Sequence, residues 1–173
     1  ALVLLWAARD RFGRPADPSP PDTRVTRLSD LHGVEVSPAI SPDGRRMAMI
    51  LSKGGNPDIY VADIDGRNPR QLSSWRDSAS SPCWSPDGQW ICFSSRVSGP
   101  SRLFVVSANG GEPRRLATDG APNATEPDWS PDGRTIVFTS QMGGFQICTV
   151  PAGGGGATVL CAGEDPSWAA NSR

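Results

Sequence analysis

Short apolar runs recur along the chain, and polar turn residues separate them. The most regular runs directly follow the tetrapeptide Ser-Pro-Asp-Gly; they are Met47–Ile50, Ile91–Phe93 and Ile136–Phe138. Runs without polar alternation are typical of strands that are covered on both faces. The tetrapeptide begins at Ser41, Ser85 and Ser130, which are 44 and 45 residues apart. The pattern therefore predicts a repeated β unit of that length.

The tetrapeptide predicts a hairpin turn. Proline at its second position holds φ near −65°, and glycine at its fourth accepts the left-handed conformation of a type I turn with a bulge. The turn is preceded by a short strand that ends in a large apolar residue in each unit: Pro38–Ile40, Pro82–Trp84 and Pro127–Trp129. We therefore interpret the aspartates of the motif (Asp43, Asp87 and Asp132) as turn formers, not as metal ligands or catalytic acids.

Two further strands complete each unit. The third strands are Ile59–Val61, Leu103–Val106 and Ile147–Val150. They end in Asp65-Gly66, Asn109-Gly110 and Gly153-Gly154, which predict two-residue turns of the primed type. The fourth strands are more polar, as an exposed sheet edge requires: Arg70–Leu72, Arg114–Leu116 and Thr158–Leu160. The four glycines 153–156 are expected to form a flexible turn.

These units predict an all-β fold, a β-propeller of four-stranded antiparallel blades. Three complete blades cover approximately residues 35–73, 79–117 and 124–161, with one flanking strand at each end, Val25–Leu28 and Asp165–Trp168. Three blades form only a partial ring. We expect the outer faces of the first and third blades to be bare, so that missing blades or self-association would be needed to close the ring.

Composition agrees with this fold. The chain has 19 glycines and 17 prolines in 173 residues, which suits short strands joined by tight turns. Its net charge of −1 gives no support for a nucleic-acid partner. Residues 1–23 are interpreted as an apolar N-terminal remnant and a Pro-rich linker, and residues 24–173 as the propeller segment. Ala1–Ala8 is too short to span a bilayer, so a membrane association would involve only a candidate N-terminal anchor. We favour an exported chain.

The sequence offers little for catalysis or metal binding. It contains no G-x-S-x-G motif and no phosphate-binding loop, and the single histidine, His32, is interpreted as a surface residue. Its four cysteines lack the spacing of a zinc site: Cys83, Cys92, Cys148 and Cys161. Cys92 and Cys148 are expected in the core, and the disulfide state is left open. Glu126 and Asp128 are a minor candidate for a cation in the central channel. We predict no cofactor.

A binding surface is expected on the rim that carries the variable loops. Strands alternate in direction, so the Ser-Pro-Asp-Gly turns lie on one rim and the variable loops on the other. Binding residues usually lie on such loops, which a rigid scaffold positions. The candidate partner-binding residues are Asn56, Trp75, Arg76, Asp77, Arg96, Asn123 and Gln141. Trp75 is the strongest candidate, because it falls outside the repeat and tryptophan often dominates interface energies. Packing between two blades is its alternative role.

The repeated pattern resembles the TolB-like β-propeller repeat. The pattern is Trp-Ser-Pro-Asp-Gly, an apolar strand, Ile-Tyr-Val or a similar strand, Asp-Gly, and Arg-Leu; it covers residues 24–169. Ile40 replaces tryptophan in the first unit, and the turn is lost after Trp168. The resemblance implies a non-enzymatic module of the periplasm that binds a protein or peptide, as TolB binds the peptidoglycan-associated lipoprotein of the Tol-Pal system. TolB's own N-terminal domain is not visible here.

The same repeat also implies two alternatives. It occurs in the gating propellers of prolyl oligopeptidase-like peptidases, whose hydrolase domain would lie outside this segment. It also occurs in the sensor domains of membrane-anchored kinases and regulators. The identity of the partner and the total number of blades are not determined by the sequence.

Overall fold

The strands occur in groups of four along the chain. A computed structural model describes residues 33–52, 57–72, 78–96 and 99–169. The strands of the first two groups are β1 Val34–Ile40, β2 Arg46–Ser52, β3 Asp58–Asp63, β4 Arg70–Gln71, β5 Ala79–Trp84, β6 Trp90–Ser95, β7 Arg102–Ser107 and β8 Arg114–Arg115. The remaining strands are β9 Thr118–Asp119, β10 Ala124–Trp129, β11 Thr135–Gln141, β12 Phe145–Pro151, β13 Gly155–Gly156 and β14 Thr158–Ala162.

Three four-stranded antiparallel sheets result, and each is one blade. Their strand orders are β1-β2-β3-β4, β5-β6-β7-β8 and β10-β11-β12-β14. The described residues contain no helix, and hence none that could cross a membrane. The predicted fold class, an all-β partial propeller with three complete blades, is confirmed. The proposed flanking strand Val25–Leu28 lies outside the described residues, as does the linker 1–23.

The blades pack face to face, with the first strand of each blade against the first three strands of the blade before it. Ile50 and Ile59 of the first blade share a buried cluster with Phe93 and Phe104 of the second. The opposite face of the second blade joins the third through a cluster that includes Leu103 and Phe138. The middle blade is therefore apolar on both faces, which explains the unbroken apolar runs in the sequence. The fourth strands are exposed at the outer edge, as predicted.

Each Ser-Pro-Asp-Gly turn is closed by the same set of hydrogen bonds. In the second blade, the Gly88 N–H donates to the Ser85 carbonyl at 2.9 Å. The buried Ser85 hydroxyl donates to Asp87 Oδ1 at 2.5 Å and accepts from the Trp90 N–H at 2.9 Å. Asp87 Oδ1 also accepts from the Gln89 N–H at 3.0 Å. The motif aspartates are thus turn formers, as predicted, and the serine is the buried centre of the turn.

The turn hydrogen bonds also change the acidity of the aspartates. The serine hydroxyl in each turn, followed by the backbone N–H two residues after the aspartate, lowers the pKa of Asp43, Asp87 and Asp132 below the ordinary value. These donors stabilise the ionised carboxylate and not the protonated acid. The ionised carboxylates therefore stabilise the fold at every pH at which these carboxyl groups would also be ionised in the unfolded chain.

The second set of tight turns is not of the predicted primed type. A primed turn requires positive φ at its central residues, but Asp65, Asn109 and Gly153 do not have it. Instead, the positive φ is one residue later, at Gly66, Gly110 and Gly154. The Gly66 N–H donates to the Asp63 carbonyl, as in the Ser-Pro-Asp-Gly turns. The glycine is therefore the bulge residue after a type I turn. Both kinds of hairpin thus have the same turn type, a type I turn with a glycine bulge.

The glycine run 153–156 forms the predicted turn only in its first part, where the Gly154 N–H donates to the Pro151 carbonyl, while Gly155 and Gly156 are paired. Gly155 and Gly156 form a parallel bridge with Thr118 and Asp119 of the preceding connection. Gly154 has a φ of 89°, and a Cβ on it would lie 3.0 Å from the backbone nitrogen of Ala117. The absence of side chains therefore lets two backbone segments approach closely between the second and third blades.

The ends of the propeller segment differ from expectation. Asp165–Trp168 is not a strand, since no described segment pairs with it, although it lies against the third blade through Asp165 N–H to Thr139 Oγ1 at 3.2 Å. The face of the first blade that points away from the second was expected to be bare. Met49 and Leu51 on that face are buried, and no sheet that the structure describes stacks on it.

The first prediction concerns the three turn aspartates. Because their folded pKa is lowered, the stability they contribute is present above the pKa of the unfolded carboxyl, near 4, and is lost as pH falls through the lower folded pKa. Asp43→Asn, Asp87→Asn and Asp132→Asn combined should lower stability at neutral pH and flatten its acid dependence, as measured by urea unfolding across pH. Control carboxylates outside the turns, replaced in Asp119→Asn, Glu112→Gln and Glu164→Gln, should retain most of the acid dependence. Equal slopes in wild type and the turn variant would contradict the assignment.

The second prediction compares adjacent glycines. Gly154→Ala places a Cβ against backbone at positive φ, so we expect a loss of about 1–3 kcal/mol in the free energy of unfolding. Gly153→Ala meets open space without positive φ and should change stability by less than about 1 kcal/mol. Chemical denaturation of the two variants gives the comparison. Similar losses would show that close backbone approach at Gly154 is unimportant.

Candidate functional site

The two rims of the propeller segment carry different structures. One rim, called the turn rim, carries the Ser-Pro-Asp-Gly turns and the glycine bulge turns. The other, called the loop rim, lies where β2 meets β3, β6 meets β7 and β11 meets β12. Of the predicted partner-binding residues, Arg96, Asn123 and Gln141 are described, and they lie on the loop rim. The other four lie outside the described residues: Asn56, Trp75, Arg76 and Asp77.

Asn123 and Gln141 are brought together by the fold. Asn123 Nδ2 donates to Gln141 Oε1 at 2.8 Å, and Asn123 Oδ1 accepts from the Ser101 N–H at 3.1 Å. Beside this contact, the Ala124 N–H donates to the Ser101 carbonyl at 3.0 Å. Asn123 therefore links the loop of the second blade to the end of β11 in the third. It adopts a φ of 55°, a conformation that asparagine tolerates better than most residues.

Arg96 and Gln141 are the exposed members of the described set. Arg96 directly follows β6, and Gln141 is the last residue of β11. Each of the two residues lies at the end of a strand whose buried side chains hold that strand in its blade, and the two blades are neighbours. The loop rim thus presents a cation and a carboxamide to solvent on rigid strand ends, which suits polar recognition of a partner.

A second concave surface lies along the inner strands, which we call the axial wall. In each blade the first strand has a bulge, and its residue before proline has positive φ: Ser37 at 51°, Ser81 at 51° and Glu126 at 53°. Asp165 repeats this at 53°, again before a proline. These residues and the prolines after them line an open cavity of about 280 Å³. Non-glycine residues rarely adopt this conformation, so its fourfold recurrence is a property of the repeat.

The cation site suggested for Glu126 and Asp128 stays a prediction, and the two residues differ in their surroundings. Glu126 lines the cavity, and its Oε2 accepts from the Asp165 N–H at 3.3 Å. Asp128 does not line the cavity, because its carboxylate accepts from the backbone N–H groups of Trp129 and Trp168 at 3.0 and 2.7 Å. Among the described ranges, no group of three or more His, Cys, Asp or Glu side chains is placed to hold a metal ion. Sequence reasoning missed the wall, although its signal was present as a proline three residues before each turn serine.

The surroundings of the cysteines indicate a structural role. Cys92 and Cys148 are fully buried, as predicted. All four are free thiols, and Cys83 lies directly opposite Cys92 in the β5–β6 ladder. The hydrogen bond with Cys92, with burial as the second cause, raises the pKa of Cys83 well above its ordinary value. Burial also raises the pKa of Cys148. Thiols held in the protonated form are poor nucleophiles, so neither resembles a catalytic cysteine.

The blades, their common turns and the axial wall define a β-propeller. Comparison with known proteins identifies the kind: the family model of the TolB β-propeller domain matches residues 22–173. The chain belongs to this family.

Individual relatives agree with the family assignment. The chain is 44% identical over 41 residues to the Tol-Pal system protein TolB of Thioalkalivibrio sulfidiphilus, a match that covers 24% of this chain and 9% of that protein. It aligns with the structure of a putative TolB from Agrobacterium tumefaciens at a TM-score of 0.69 and 26% identity, covering 80% of this chain and 56% of that one. A puromycin hydrolase aligns at a TM-score of 0.62 and 20% identity, covering 78% and 23%, which shows the fold alone.

The third prediction tests Asn123 as a support of the loop rim. Asn123→Ala removes both side-chain hydrogen bonds at positive φ, so we expect a loss of about 1–3 kcal/mol in the free energy of unfolding. Asn123→Asp retains an acceptor for Ser101 and should lose less. Gln141→Ala removes only an exposed contact and should cost less than about 0.5 kcal/mol. Equal effects of Asn123→Ala and Gln141→Ala in denaturant unfolding would exclude a supporting role.

Proposed function

We propose that this chain is a non-enzymatic module of an exported protein, and that it binds a protein or peptide partner through its loop rim. The single observation that carries the proposal is membership of the TolB β-propeller domain family over residues 22–173. Relatives that carry the Tol-Pal name support an extracytoplasmic location. The chain spans only part of the length of these relatives. The activity of a whole TolB protein is therefore a proposal for this chain and is not taken over from the relatives.

The chemistry of the described residues supports binding better than catalysis. Apolar side chains fill the space between adjacent blades, and this close packing makes the blades a rigid scaffold. The hydrogen bond with Cys92 raises the pKa of Cys83, and burial raises the pKa of Cys148, so neither thiol has the lowered pKa of a nucleophile. The turn aspartates accept hydrogen bonds from the serines of their own turns. The exposed polar groups at the strand ends, Arg96 and Gln141, are therefore the described residues best placed to contact a partner.

The loop rim is favoured over the turn rim for a physical reason. On the turn rim, side chains and backbone groups largely satisfy one another within the repeated turns. On the loop rim, the connections differ in length and composition from blade to blade, so they present residues that the repeat does not require. Trp75 is part of this proposal on sequence grounds, together with Asn56, Arg76 and Asp77.

The fourth prediction uses the soluble domain of the peptidoglycan-associated lipoprotein from the same organism as the probe. Arg96→Glu reverses an exposed charge at the loop rim and should weaken binding at least threefold, measured by isothermal titration calorimetry. Trp75→Ala should weaken it at least tenfold, as expected for an aromatic interface anchor. The matched control on the turn rim is Arg67→Glu, whose exposed ion pair with Asp65 contributes little to stability.

Circular dichroism and thermal melts separate loss of binding from loss of folding. The proposal requires that Arg96→Glu melts like the wild type. If Arg67→Glu weakened binding as much as Arg96→Glu, the partner would not use the loop rim. If Trp75→Ala unfolded the protein while Arg96→Glu bound normally, Trp75 would be an interblade packing residue and the interface proposal would fail.

A further inference from the structure

A small slot opens on the turn rim between the second and third blades. It is lined by Trp90, Val105, Arg114, Trp129 and Ala152, and its volume is about 120 Å³. Two tryptophans therefore flank a space that no side chain of the described residues fills. Trp90 is 46% exposed, which is unusual for a tryptophan between two packed sheets. We call this space the second slot.

In the junction between the first and second blades, an arginine of the chain contacts the equivalent tryptophan, and we call this place the first slot. Arg46 and Trp90 each lie five residues after a turn serine, and Trp84 and Trp129 each precede one. In the first slot, the Arg46 guanidinium lies over the Trp84 ring at 4.9 Å from its centroid. Arg46 Nη2 also donates to the Gly88 carbonyl at 2.9 Å. A guanidinium is therefore the natural occupant of this repeated space.

The replacement of arginine by tryptophan at position 90 removes that occupant. Without a guanidinium, Trp129 Nε1 donates to the Gly133 carbonyl at 3.0 Å, the equivalent of the Gly88 carbonyl. Trp84 instead donates to Ala39 of the neighbouring blade at 2.9 Å. A carbonyl oxygen has two lone pairs, so Gly133 retains capacity for a second donor. Trp90 is also partly exposed, and the face of an indole attracts a cation.

Arg114 does not prevent entry of a second cation. Its Nη1 donates to the Gly153 carbonyl of the next bulge turn at 3.4 Å. Arg70 is the equivalent residue in the first junction, and it donates to the carbonyls of Ala108 and Asn109 at 2.6 and 2.5 Å. In the first junction, backbone carbonyl oxygens thus accept hydrogen bonds from two guanidinium groups of the chain, those of Arg70 and Arg46.

We propose that the second slot binds the guanidinium of an arginine side chain that a protein or peptide partner supplies, between the indoles of Trp90 and Trp129. The partner's arginine would take the place that Arg46 takes in the first junction. This site lies on the turn rim, opposite the loop rim, so it is a second contact surface and not part of the function proposed above. A carboxylate held by Arg114 is the competing occupant.

The ligand chemistry can be tested with small probes on the full chain. N-acetyl-arginine amide should cause saturable shifts of the Trp90 and Trp129 indole N–H signals in NMR spectra. N-acetyl-citrulline amide has nearly the same shape without the charge and should bind at least fivefold more weakly. Equal binding of both probes would overturn a cation site. Tighter binding of N-acetyl-aspartate amide would overturn it as well, in favour of an anion held by Arg114.

Exchange of residues between the two junctions gives matched variants. Trp90→Arg supplies the occupant of the first slot and should abolish arginine-amide binding without lowering the melting temperature. Arg46→Trp should open the first slot and raise the binding stoichiometry from one to two. Trp90→Ala, at an exposed position, should reduce affinity at least fivefold while the fold is retained.

Two outcomes would overturn the proposal. One is unchanged arginine-amide affinity in both folded Trp90→Arg and folded Trp90→Ala. The other is loss of binding in the loop-rim variant Arg96→Glu, which should leave this site intact. The lipoprotein could fail to bind while N-acetyl-arginine amide still causes the expected NMR shifts. That result would disprove only the function proposed for the loop rim, so the two proposals can fail separately.

Discussion

Burial of both faces of each inner sheet is the constraint on which the rest of this structure depends. A single four-stranded meander with apolar residues on both faces is not stable in water. It becomes stable only when neighbouring sheets bury both of its faces. Phe93 and Leu103 of the middle blade show this directly, since they belong to two different buried clusters. The stacking direction then places every first strand on one axis and every fourth strand at the outer edge. The axial wall, the rims and the junction slots are consequences of that stacking.

The turns make the stacking repeatable. In the Ser-Pro-Asp-Gly motif, a buried serine hydroxyl connects an aspartate carboxylate with the backbone N–H of the following strand. The same contacts occur in the first and third blades, so each second strand begins in the same register against its first strand. Neighbouring turns also lie close together, since a Cβ added to Gly133 would come to 3.4 Å from Pro86 Cγ. Small residues at these points therefore affect the spacing between blades as well as the local hairpin.

Differences between equivalent positions carry the functional interest. A propeller is a platform that supports many activities, and its core residues say little about any of them. Arg46 and Trp90 occupy the same place in the repeat, yet Arg46 contacts Trp84 across its junction, whereas Trp90 lines an open slot. On the loop rim, Asn123 is held within the chain while Arg96 is exposed to solvent. Comparison of repeats within one chain thus distinguishes residues that maintain the fold from residues that are available to a partner.

Sequence reasoning predicted the repeat, the strand order within each blade and the turn-forming role of the aspartates, because these depend on local periodicity and turn chemistry. It also identified Cys92 and Cys148 as core residues from their place in apolar runs. The type of the glycine turns was predicted wrongly, although it is a local property of the hairpins. The pairing of Gly155–Gly156 was not predicted, because it is made with a segment more than thirty residues away in the chain. The axial wall and the open slot beside Trp90 could not be predicted from local patterns either, since each is formed by residues from different blades. Contacts between repeats depend on how sheets stack in space, and no local pattern of hydrophobic and polar residues records that geometry.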